Sequence, residues 1–262
     1  MSSRRLLLSL LLIFSLPLTQ SLWSAEGFTL AIDIGHSPKR PGATSSRGKP
    51  EYGFNRSMAE FLLREIQRRK VFSAFVINSG GREISLAART TAAQEAGADL
   101  LLSLHHDSVQ PHYLSPWRHE GKEQRFSDQF SGHSLFISNK NPEFNASQRF
   151  ANLLGQQLLD QGLTPSLHHA EKIKGENRPL LDKDRGIYRF DNLVVLRQAS
   201  MPALLLECGI ILNRDEELRV SSPAYRQKIA DAIIAAVLAY RQQPTGRDRA
   251  LESTEHETAV IQ

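Results

Sequence analysis

The chain has 262 residues, 40% hydrophobic and 23% charged, with a formal net charge of +4, which is the size and balance of one folded domain with a sizeable core. This excludes wholesale disorder and collagen-like repeats, and a near-neutral chain without a Lys/Arg stripe interleaved with aromatics excludes nucleic acid as a partner. A single cysteine, Cys208, permits no disulfide within the chain and no cysteine-built zinc knuckle, so any metal site must use histidine and carboxylate.

Residues 1–25 read as a signal peptide: Arg4 and Arg5 precede an apolar run over residues 6–18, broken only by Ser9, Ser15 and Pro17. That run is shorter than the roughly 20 residues of a bilayer span, so no stable membrane anchor is expected after cleavage. Residues 26–241 then form the folded domain. Alternation of Phe28, Leu30, Ile32 and Ile34 predicts a strand over 28–34, followed by a Pro/Gly/Ser-rich loop over 37–50. Met58, Leu62 and Ile66 recur at helical spacing, with Arg64, Glu65, Arg68 and Arg69 as the wet face. A strand is expected over 71–77, an alanine-rich helix over 84–96 and a doubly covered strand over 99–104. Residues 108–132 are polar and read as irregular. Then come a strand over 133–138, a helix over 146–159, a polar stretch over 164–184, buried strands over 193–196 and 203–206, and a closing helix over 224–240. Residues 242–262 read as a disordered tail. The alternation predicts an α/β fold: a mostly parallel central sheet with helices on both faces.

Three polar residues stand where buried strands end: His36, His105 and Glu207. The carboxyl ends of strands form the ligand crevice of open α/β sheets. Two histidines and a carboxylate suit a catalytic zinc, and a second carboxylate is needed as proton acceptor. Glu51 and Glu207 are the pair to share these roles, and spacing does not divide them.

Asp33-Ile34-Gly35-His36, Pro41-Gly42-Ala43 and Glu51 with Asn55 resemble the opening of the zinc-dependent N-acetylmuramoyl-L-alanine amidases, the amidase-3 family. The resemblance continues through Arg82, Leu86, Arg89, the run 96–100 and Ser103-Leu104-His105. It closes with Val195-Leu196-Arg197, Met201-Pro202, Leu205-Leu206-Glu207-Cys208-Gly209 and Asn213, so the ordered blocks span about 28–240. It implies that His36, Glu51 and His105 hold Zn2+, and that Glu207 is the catalytic carboxylate. The implied reaction cleaves the amide between N-acetylmuramic acid and L-alanine of the peptidoglycan stem peptide. An exported enzyme follows, with the periplasm preferred over secretion or wall association, and with a protein activator as a conceivable partner. His106-Asp107 replaces the family's usual small residue and Asn, Ser37-Pro38 its glycines, and Cys208 a common Thr.

A catalytically silent wall-binding or activator protein of the same fold is the alternative, disfavoured because all four site residues are kept. A peptidase of the stem peptide is disfavoured because no HExxH helix is present. Asp33 is expected to orient a ligating histidine, Arg89 and Arg197 to make structural hydrogen bonds, His106 to be a wall or surface residue, and Cys208 to pack as a small residue. His112, His119, His133, His168 and His169 are read as solvated loop histidines. The 164–184 stretch is read as a solvated insertion, or else as a lid whose Glu171 or Glu176 occupies zinc's open position.

Overall fold

The computed structural model describes residues 27–242; the signal-peptide and tail expectations lie outside them. The first strand, β1 (Thr29–Ile34), pairs in parallel with β2 (Ser73–Ile77) on one side and β3 (Leu100–Asp107) on the other. Next to β3, also parallel, runs β9 (Ala203–Ile210). The sheet then reverses: β6 (Ser134–Ile137) is antiparallel to β9 and parallel to β8 (Ile187–Arg189), and β7 (Leu180–Asp182) closes the edge antiparallel to β8. The order is β2-β1-β3-β9-β6-β8-β7.

Because side chains alternate across a strand, each central strand feeds two cores. Leu30, Ile32, Leu102, Leu104, Leu204 and Leu206 face α1 (Glu51–Arg69), α3 (Phe144–Asp160) and α6 (Pro223–Gln242). Ala31, Leu101, Phe136 and Leu205 face the smaller layer of α2 (Leu86–Glu95) and α4 (Val194–Arg197). Helices thus cover both faces of a mostly parallel sheet, as the alternation implied. Cys208 is fully buried in the larger core, the small packed residue expected.

Four differences are physical. Residues 194–197 form a helical turn rather than a strand; a four-residue apolar run is compatible with either. The polar 108–132 stretch contains a hairpin, β4 (Ser115–His119) and β5 (Lys122–Phe126), joined by Glu120-Gly121, both at positive φ. The helix α5 (Arg214–Ser221) starts on Asn213, whose side-chain oxygen accepts from the N–H groups of Asp215 and Glu216. Finally, β7 is a short strand inside the polar 164–184 stretch, and β8 follows it in residues assigned no element. Among the described residues no helix is long and apolar enough to cross a membrane.

Candidate metal and catalytic site

The site lies at the carboxyl ends of the parallel strands. His36 follows β1, His105 sits near the end of β3, and Glu207 lies opposite His105 in the β3–β9 ladder. Glu51 opens α1, which enters directly behind the β1 loop. Nε2 of His36 is 3.0 Å from Oε2 of Glu51, and Nδ1 of His105 is 3.0 Å from its Oε1. One donor atom from each residue lies within 4.8 Å of the others. Ligands bonded at about 2.0–2.1 Å around a tetrahedral zinc stand roughly 3.3 Å apart, so this donor set fits such an ion.

The carboxylate is fixed from several sides. Asn55, one helical turn along α1, donates Nδ2 to Glu51 Oε1 at 3.0 Å and to the Gly35 carbonyl at 3.1 Å. The Ala43 N–H donates to Oε2 at 3.0 Å. Burial alone would raise the Glu51 pKa, but His105 and His36 outweigh it and hold the carboxyl well below its usual range. Two glycines make the convergence possible. A Cβ on Gly35 would stand 2.4 Å from the His105 ring, and one on Gly42 would stand 2.3 Å from Glu51 Oε2.

His36 itself sits at φ +69°, a left-handed conformation that a bulky residue keeps only where its surroundings impose it. Arg89 does so. Its guanidinium donates to the carbonyls of Ile34 and, at 2.6 Å, His36, and to Asp33 Oδ1 at 2.8 Å. Asp33 also accepts from Ser103 Oγ at 2.7 Å. Asp33 therefore does not orient a histidine ring, as expected from the sequence; it anchors Arg89, which holds the backbone of His36.

Glu207 is half-buried, yet its Oε2 is sequestered without a hydrogen-bond partner. Burial, then the charges of Asp107 and Glu51, push its pKa well above the usual carboxylate range. His36 and His105 line one wall of a cleft of about 360 Å³ that also includes Arg40, Glu83, Leu86 and Val194. A second cleft, about 550 Å³, runs beneath the hairpin past Ala43, Ser45, Ser108 and Gln124.

His106 is a buried wall residue: its Nδ1 is 2.8 Å from Asn55 Oδ1, and burial pulls its pKa to about 3. His112 is exposed and His119 half-buried. The remaining three depart from the solvated reading. His133 is fully buried, His168 is 2% exposed, and His169 is half-buried against Asp107 and Glu176. The 164–184 stretch accordingly mixes exposed residues such as Lys172, Lys174 and Lys183 with buried ones, and its Glu171 and Glu176 are engaged away from the first cluster. Tyr113 Oη donates to Glu171 Oε2 at 2.7 Å, and Glu176 is engaged by Gln110 and His169.

A family model described as N-acetylmuramoyl-L-alanine amidase matches residues 30–239. A probable N-acetylmuramoyl-L-alanine amidase AmiB of Haemophilus influenzae is 25% identical over 249 residues, covering 84% of this chain and 54% of that protein, so the chain spans about half its length. The Escherichia coli amidase AmiA is 28% identical over 232 residues, covering 80% of this chain and 75% of that protein. A crystal structure of an N-acetylmuramoyl-L-alanine amidase from Clostridium difficile shares the fold, with a TM-score of 0.65 at 23% identity over 83% of this chain and 98% of that one. The matched stretch takes in β1 through α6, with the histidine–carboxylate cluster and Glu207 inside it, and the chain belongs to the N-acetylmuramoyl-L-alanine amidase family.

Proposed function

We propose that the protein is an exported zinc-dependent peptidoglycan hydrolase that cleaves the amide joining the lactyl group of N-acetylmuramic acid to L-alanine of the stem peptide. The observation that carries this reading is the pairing of a three-donor cluster, His36–Glu51–His105, with the unpartnered carboxylate oxygen of Glu207 across the β3–β9 ladder. His36, Glu51 and His105 would hold the ion. Zinc bound there would supply Lewis-acid polarisation of the scissile carbonyl and a lowered pKa for the attacking water.

The protein's own residues do the rest. Asn55 and the Ala43 N–H keep both Glu51 oxygens aimed at the histidines, and Arg89 keeps His36 in its strained backbone geometry. Glu207 takes a proton from the attacking water as the new C–O bond forms. It returns that proton to the departing amine of L-alanine as the C–N bond breaks. A carboxylate with raised proton affinity suits both halves of that transfer. Tyr113 engages Glu171 and His169 engages Glu176, so a lid carboxylate from either residue is not part of this reading.

Digestion of purified peptidoglycan tests the reading. Release of whole stem peptides with free amino-terminal L-alanine, from intact glycan strands, is expected. Trimmed peptides would make the protein a peptidase, and release of nothing would make it a silent binder.

A further inference from the structure

Asp107, whose charge helps to raise the proton affinity of Glu207, forms a second converging cluster with His168 and His169, which have no part in the reaction just described. Asp107 ends β3, two residues beyond His105, and the two histidines come from a 3-10 turn (His168–Ala170) of the 164–184 segment. Nε2 of His169 is 2.7 Å from Oδ2 of Asp107, and Nε2 of His168 is 3.4 Å from the same oxygen. One donor atom from each lies within 4.8 Å of the others.

The far side of each ring is fixed by an oxygen. His169 Nδ1 is 2.8 Å from Glu176 Oε2, and His168 Nδ1 is 2.8 Å from Ser166 Oγ. Metal-ligating imidazoles are oriented in this way. The His168 side chain is 1% exposed, and its Nε2 has no hydrogen-bond partner although it is aimed at Asp107. That Nε2 stands 3.4 Å from the Asp107 carboxylate without forming a hydrogen bond to it, and a buried polar atom left unsatisfied is costly. A cation between the three donors would satisfy it. The hydrogen bonds of His169 to Asp107 and Glu176 account for His169 and leave the His168 Nε2 without one. Aromatic rings wall the cluster: Phe130 lies 5.3 Å from His168, and Phe136 and Tyr188 present edges to His169 at 4.9 and 5.6 Å.

We propose that Asp107, His168 and His169 form a second site for a divalent transition-metal cation of the zinc class, with Glu176 and Ser166 orienting the two imidazoles. Two nitrogens and one carboxylate oxygen suit zinc-like ions rather than calcium or magnesium, which prefer all-oxygen shells.

The site is independent of the hydrolase reading, and its test separates the two. The full protein, stripped with a chelator, is titrated with Zn2+ alone after His36 and His105 are both replaced by Ala. One bound equivalent is expected to remain. It should disappear when His168→Ala and His169→Ala are added, and its affinity should fall about 10–100-fold in Glu176→Gln. A folded double variant that takes up no Zn2+, or one that keeps its ion after His168 and His169 are replaced, overturns the proposal. Should the double variant not fold, the count in the unaltered protein decides: two equivalents are expected, and one or none overturns it.

Discussion

Arg89 and Asp33 form an ion pair with side chains only 5% and 1% exposed, and the guanidinium also ties down the carbonyls before and at His36. Removing one partner of a buried pair leaves the other charge uncompensated. Arg89→Ala is therefore expected to lower stability by roughly 3–5 kcal/mol in denaturant unfolding, and Asp33→Asn in the same chain should recover part of that loss. His133 makes a pH-dependent contribution. It is fully buried, neither ring nitrogen has a hydrogen-bond partner, and burial pulls its pKa to about 4. Above the unfolded value of about 6.5 both states are neutral and nothing is lost. As pH falls from 6.5 towards 4 the unfolded chain takes up a proton that the folded one refuses, so stability falls, by on the order of 3 kcal/mol. Unfolding curves recorded from pH 7 to 4 should lose stability in the native protein, and the loss should be smaller by about that amount in His133→Leu, while buried His106 continues to add its own. An equally steep loss in the variant would assign the acid sensitivity to other groups.

The turn after β1 and the start of α1 set the geometry of the first cluster, and two glycines leave room for it. Gly35→Ala places a methyl group within 2.6 Å of three His105 ring atoms. The ring must move, and zinc affinity is expected to fall at least tenfold, read by competition with a chelator, while far-UV circular dichroism stays native. The blocks around these elements were legible in the sequence because the chemistry concentrates where apolar strands stop: His36, His105 and Glu207 each follow a buried run. The hairpin was not legible, since Glu120-Gly121 is a weaker turn signal than Asn-Gly and the flanking residues are mostly polar. Helix α5 was not read from the sequence, because its charged residues show no apolar stripe at helical spacing, with Val220 the one apolar residue it buries. In the fold Glu216 and Glu217 are buried acceptors for Gly132, Ile210, Ser45 and Ser46. The 164–184 segment misled for a similar reason: among its exposed charges, buried Glu176 pairs with His169 inside the protein. Replacing residues 172–181 with a Gly/Ser linker removes Glu176 and the first two residues of the edge strand β7. It is expected to lower the thermal midpoint and not to raise basal hydrolysis; increased hydrolysis would restore the lid reading.

The whole molecule gathers residues distant in sequence by stacking parallel strands side by side. β1, β3 and β9 run in one direction, so their carboxyl ends deliver His36, His105 and Glu207 to one edge of the sheet. The β1 loop then folds back to bring Glu51 between the two histidines. From β3 the same edge continues to Asp107 and the 164–184 segment, which packs against the sheet through His168 and His169. The division of labour at this edge is the central claim: His36, Glu51 and His105 hold the ion, and Glu207 moves the proton. Parallel measurement of bound zinc and peptidoglycan hydrolysis in Glu207→Gln tests it most directly. Retained zinc with hydrolysis lowered about 10²–10⁴-fold is expected for loss of a general acid–base group. Loss of the ion from a folded Glu207→Gln protein, or hydrolysis at the native rate, would contradict the assignment.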